Sequence, residues 1–124
     1  MTAEVLRAKY GPPNGRKFTV SPGFEIAVEC EPDGRVRRME FPGTAPDATG
    51  ASTPQRVDEV LLELVPMSMR GNEIGFGLWR LPYSTKHTFY EHVVIIEAED
   101  PWMLDQRCSL TVLFREHHQS NSIS

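Results

Sequence analysis

Apolar positions recur along this chain with two different periods, and the switches between them predict its elements. In residues 52–66, Val57, Val60, Leu61, Leu64 and Val65 fall on one face of a helix. Ser52, Thr53, Pro54 and Gln55 form a helix start, because proline in the first turn loses no intrahelical bond. Gln55, Arg56, Asp58, Glu59 and Glu63 take the outer face, and Pro66 ends the pattern. A second, shorter helix is predicted over residues 2–10. Thr2 caps it, Val5, Leu6 and Tyr10 give an apolar edge, and Gly11-Pro12-Pro13 stops it.

Elsewhere the period is two. Residues 17–20 read as a short strand closed by Ser21-Pro22-Gly23. Phe24, Ile26, Val28 and Cys30 alternate with Glu25, Ala27 and Glu29, as in a half-buried strand with an acidic outer face. Pro32-Asp33-Gly34 supplies the turn, and residues 35–41 return as a partner strand. Val36 is out of phase with Met39 and Phe41, which predicts a bulge. Residues 42–51 read as a surface loop. Residues 87–99 read as one strand, apolar on both faces at Val93-Val94-Ile95-Ile96, and residues 107–115 return antiparallel to it. The order helix, three strands, helix, two strands predicts an α+β domain: an antiparallel sheet of about five strands with helices on one face. Residues 67–86 fit neither period, which leaves their conformation open: a loop this long inside a compact domain is usually functional, disordered or a misread element.

Composition narrows the class. The 124 residues suit one domain, expected over residues 1–116, with a polar tail over 117–124. A net charge of −4 argues against unspecific nucleic-acid binding. The dense basic run Arg35-Val36-Arg37-Arg38 reads as a solvated strand face whose arginines meet the outer glutamates across the hairpin. No apolar stretch approaches a membrane span, and residues 1–10 lack the apolar core of a secretory signal. A soluble cytoplasmic protein is the expectation for the chain as given, and an exported or periplasmic one if a signal peptide has been removed. Cys30 and Cys108 are too few for a disulfide framework or a zinc site. Both fall on the apolar phase of predicted strands, so two buried free thiols are expected, with a single bridge between the strands as the alternative.

Candidate chemistry is sparse. His87 and His92 are five apart on a predicted strand, and His117 and His118 are adjacent in the tail. Neither pair has a ligand spacing, and no metal or cofactor is expected. Tyr90 and His92 share a strand face, either as the rim of the core or as a pocket mouth. Gly75-Phe76-Gly77 follows a helix rather than opening one, which sets it apart from a phosphate loop. Arg70, Glu73, Trp79 and Arg80, together with the methionines before them, have the composition of a contact surface.

Leu6-Arg7-Ala8-Lys9-Tyr10-Gly11-Pro12-Pro13, Phe18-Thr19-Val20 with Pro22-Gly23, Val57 to Pro66 followed by Arg70-Gly71-Asn72-Glu73-Ile74-Gly75, and Tyr90-Glu91-His92-Val93-Val94-Ile95 resemble phrases of a family of small bacterial proteins of unknown function. The resemblance spans most of residues 6–96. It implies no activity and no catalytic residue. It does imply that the Arg70-Gly71 segment is a family feature, and that export and a Cys30–Cys108 bridge belong to the picture. The leading functional expectation is a non-enzymatic module that binds a protein partner or forms a homodimer, through residues 67–79 and an open sheet edge. The alternative is a small-molecule or catalytic site between the helix of residues 53–65 and the sheet, near Arg70, Glu73, Tyr90 and His92.

Overall fold

A computed structural model describes residues 1–79, 84–100 and 103–115, with the side chains of 103–106 left aside. The expected tail and the candidate residue Arg80 lie outside the described residues. Helix α1 (Ala3–Tyr10) starts where the Thr2 hydroxyl accepts the Val5 N–H, and it stops at Gly11, whose φ is 84°. Helix α2 (Pro54–Leu64) starts with Pro54 in its first turn and the Thr53 hydroxyl accepting the Arg56 N–H at 3.2 Å. Val57, Val60, Leu61 and Leu64 are all buried, as the 3.6-residue repeat predicts. Each contributes about 1.5–3 kcal/mol relative to exposure.

The strands are β1 (Lys17–Ser21), β2 (Phe24–Cys30), β3 (Val36–Pro42), β6 (Glu73–Trp79), β7 (Ser84–Tyr90), β8 (Val93–Asp100) and β9 (Met103–Phe114). They form one seven-stranded sheet in the order β1-β2-β3-β9-β8-β7-β6, with every adjacent pair antiparallel. Two meanders meet where β3 pairs with β9. A small ladder of β4 (Ala45–Pro46) and β5 (Ser52–Thr53) braces the loop before α2. A single core lies on one face of the sheet: Ile26, Met39, Phe41, Ile95, Leu110 and Val112 pack with Leu6 of α1 and the buried stripe of α2.

The α+β class with an antiparallel sheet agrees with the sequence reading, but the main sheet has seven strands rather than about five. The difference lies in two segments. Residues 67–86, which fit neither period, are regular over most of their described positions. They hold a helical turn α3 (Met67–Arg70), the whole of β6 and the start of β7. Residues 87–99 are not one strand but the end of β7, a turn at Glu91-His92, and β8. The predicted bulge in β3 is present: Glu29 pairs with Arg38 but Cys30 pairs with Val36, leaving Arg37 as the extra residue.

The cysteines are free, as the first of the two readings has them, but their expected burial is corrected. Cys30 and Cys108 are both free and both exposed. Cys30 is the last residue of β2, where the core has run out. Cys108 is the extra residue of a bulge, since Ala98 pairs with Ser109 and Glu99 with Arg107. In register, Cys30 is level with Val36 and Cys108 lies just beyond Pro42, at opposite ends of β3. That is about 20 Å along the strand at roughly 3.3 Å per residue, well outside the reach of a bridge. Both thiols should therefore react with an aromatic disulfide reagent in the native protein as fast as in the denatured one. A slow native reaction would indicate that they are covered.

Tyr10 packs between the helices, where Lys9 of α1 makes an ion pair with Glu63 of α2. Burial, with the Glu63 carboxylate adding to it, pushes the Tyr10 phenol up to about 12. The folded state then holds this proton more tightly than the unfolded chain. The associated stability is intact below the ordinary phenol value of 10.0 and is lost as the pH rises toward about 12. Alkaline melting curves of Tyr10→Phe should lack this fall.

Candidate functional site

The expected residues Arg70, Glu73, Tyr90 and His92 do come together, at the corner where α2 ends and the β7–β8 turn begins. Val65 follows the last residue of α2, and its carbonyl is among those a helix terminus leaves unpaired. Arg70 Nε donates to that carbonyl at 2.7 Å. A cation there also complements the helix dipole. Nη1 donates to the Tyr90 hydroxyl at 3.4 Å, and the guanidinium lies 5.4 Å from the Tyr90 ring centroid. Arg70 and Tyr90 are both buried. Arg70 is thus a clamp beneath the helix and not part of an outward contact surface, and the physical reason is the open helix end it caps.

The same corner sets the β7–β8 turn. The Arg70 carbonyl accepts the His92 N–H at 2.9 Å, and the Asn72 carbonyl accepts the Glu91 N–H at 3.0 Å. The Glu91 carboxylate accepts the Asn72 N–H at 2.7 Å. Gly71 permits this approach: its φ is 80°, and a Cβ there would fall within 3 Å of the Glu91 and His92 side chains. Tyr90 and His92 therefore do not share the face of a continuous strand, because His92 sits in the turn.

Glu73 and Trp79 mark the two ends of β6. Glu73 is exposed opposite Tyr90, and Trp79 is exposed opposite Thr85. The Trp79 indole packs 4.3 Å from the His87 ring and lies over Gly77, where a Cβ would collide with it at 2.2 Å. His87 and Phe89 continue this aromatic row on the face away from the helices.

Three apolar residues within the expected contact stretch 67–79 complete the region. Ile74, Phe76 and Leu78 are 58%, 61% and 43% exposed on β6, the terminal strand of the sheet. Their signal was the alternation Phe76-Gly77-Leu78, obscured because glycine is neither apolar nor polar. The opposite terminal strand differs. β1 is shorter, starts with Lys17 and is bulged between Thr19 and Ser21. On the sheet beneath α2, Arg107 donates to Asp58 at 2.8 Å, to Glu97 at 3.1 Å, and to the Gly43 and Pro54 carbonyls.

The basic run is neutralised locally. Arg35 pairs with Asp33, Arg37 with Glu29 across the hairpin, and Arg38 with Glu40. Among the described residues no three histidine, cysteine or acidic side chains gather into a metal-binding group. No helix among them is long and apolar enough to cross a membrane. Comparison with family models, with curated proteins and with solved structures gives no match.

Arg70→Ala should lower stability by about 1–3 kcal/mol, because it leaves a helix-end carbonyl and the Tyr90 hydroxyl without their donor. Trp79→Ala, at an exposed position, should change it far less. Thermal melts of the two variants test this ranking.

Proposed function

We propose that the chain is a non-enzymatic binding module that assembles through β6, and that the occupant of this edge is a second copy of the same chain. The observation that carries the reading is the character of β6. It is a terminal strand with four exposed large apolar side chains and no charge after Glu73. Open edges of this kind are ordinarily blunted by charge, proline or a bulge, as β1 is. The bulge in β6 lies at Ile74, which leaves residues 75–79 regular.

Antiparallel pairing of two identical edges is self-complementary about a twofold axis. Centred on Gly77, it sets Phe76 opposite Leu78 of the second copy on the helix side. On the other face it sets Trp79 opposite Gly75, a large side chain against a gap. One strand and four side chains offer less than the roughly 800 Å² per partner of a standard interface, so association in the micromolar range is expected.

Sedimentation velocity over a concentration series tests this. The native chain should move from monomer to dimer, and Phe76→Lys should weaken association at least about tenfold by placing a charge on the edge. Its melting should stay within about 0.5 kcal/mol of the native chain, as at other exposed positions. A strict monomer at the highest concentration would remove the second copy as occupant, and so would a dimer indifferent to Phe76→Lys.

A further inference from the structure

A cavity of about 240 Å³ opens between α2 and strands β7 and β8. Arg70 stands at one end and Asp58 and Glu97 at the other, as the register requires. Tyr90, which holds Arg70, is the last residue of β7, whereas Glu97 is level with Lys86, four residues earlier. Asp58 is in the second turn of α2, whereas Arg70 binds the carbonyl just past its last turn. Between the two ends, Leu61, Ile95 and Leu110 supply apolar walls.

The ends differ in charge. Arg70 is 7% exposed, and among the described residues its guanidinium meets a carbonyl and a hydroxyl but no carboxylate. Capping the helix uses Nε. Among the described residues Nη2 makes no hydrogen bond. Burying a cation without a counter-charge is costly. At the other end Asp58 and Glu97 share one cation, Arg107, which leaves one negative charge in excess. Lys86, level with Glu97, lies 3.8 Å from Glu99 and is balanced there.

We propose that this cavity binds a small zwitterion, an amine and a carboxylate joined by a short apolar stem. The carboxylate takes the open donors of Arg70, a charge-assisted contact that an arginine fork suits. The ammonium takes the oxygens of Asp58 and Glu97 that Arg107, which bridges the two through Nη1, leaves open, and the stem lies against Leu61, Ile95 and Leu110. At about 30 Å³ per water-sized group, the volume admits a ligand of up to roughly eight non-hydrogen atoms. Nothing in this site depends on the β6 edge.

The test is an amide-resolved NMR titration of the whole chain with 4-aminobutyrate, and separately with butyrate and butylamine as its two halves. We expect saturable shifts at Arg70, Thr88, Tyr90 and Glu97, with an affinity on the order of millimolar for a ligand this small. Each half should bind at least about tenfold more weakly. Thr88→Leu, which fills the cavity from β7, should abolish the shifts. Asp58→Asn, at a half-exposed helix position, should weaken the zwitterion and leave butyrate unchanged. No saturable shift with the zwitterion, equal affinity for butyrate, or shifts that survive in a folded Thr88→Leu would each overturn the proposal. Repeating the titration on Phe76→Lys keeps the result separate from association.

Discussion

Two helices have to cover seven strands, and they are too narrow to do so. Neighbouring strands are about 4.8 Å apart, so the outer strands of this sheet lie roughly 29 Å from one another. Two helices side by side span about 20 Å. With α1 over the first meander and α2 over the strands around β9, no helix among the described residues covers β6. Phe76 and Leu78 face the helix side of the sheet and are exposed for this reason. The cavity beside Arg70 has the same origin, since it opens along the flank of α2 where cover stops.

Two arginines compensate at the margins of that cover. Arg107 rises from β9 and ties the start of α2 to the sheet through Asp58 and the Pro54 carbonyl. Arg70 does the corresponding work at the other end, through the Val65 carbonyl and Tyr90. Between them the helix is fixed over the core while its outer flank stays open. The Arg70 segment also supplies the main-chain bonds that form the Glu91-His92 turn, so helix end and hairpin turn are held by one set of contacts. The β6–β7 hairpin is thereby tied to the end of α2 at its Glu73–Tyr90 end, while β7 pairs with β8 from Ser84 to Phe89.

Much of the fold was legible because burial leaves a period. Val57, Val60, Leu61 and Leu64 marked α2, and the alternation from Phe24 to Val28 marked β2, because each element has one wet and one dry face. The bulge in β3 was legible for the same reason, as a slip in phase at Val36. β6 was not, because a strand without cover has no dry face to contrast with a wet one, and the end of β7 merged with β8 into one apparent strand. The Glu91-His92 turn carried no turn residue, since its geometry comes from Arg70 and Asn72 far away in sequence. The cysteines were misjudged because phase alone does not report where a strand leaves the core or where a bulge removes a residue from its ladder. Of the candidate residues, Arg70, Glu73, Tyr90 and His92 lie at one corner of the structure, but what each contacts there was not readable from local pattern.

The sequence by itself determined the α+β class, the two capped helices and the one-sided core, because local periodicity and capping are properties of neighbouring residues. Only the tertiary structure decided that Arg70 turns inward as a clamp, that Phe76 and Leu78 stay exposed, and that Asp58, Glu97 and Arg107 meet beside the same cavity. Those outcomes depend on how far a helix reaches across a sheet, a distance between elements that no local pattern encodes.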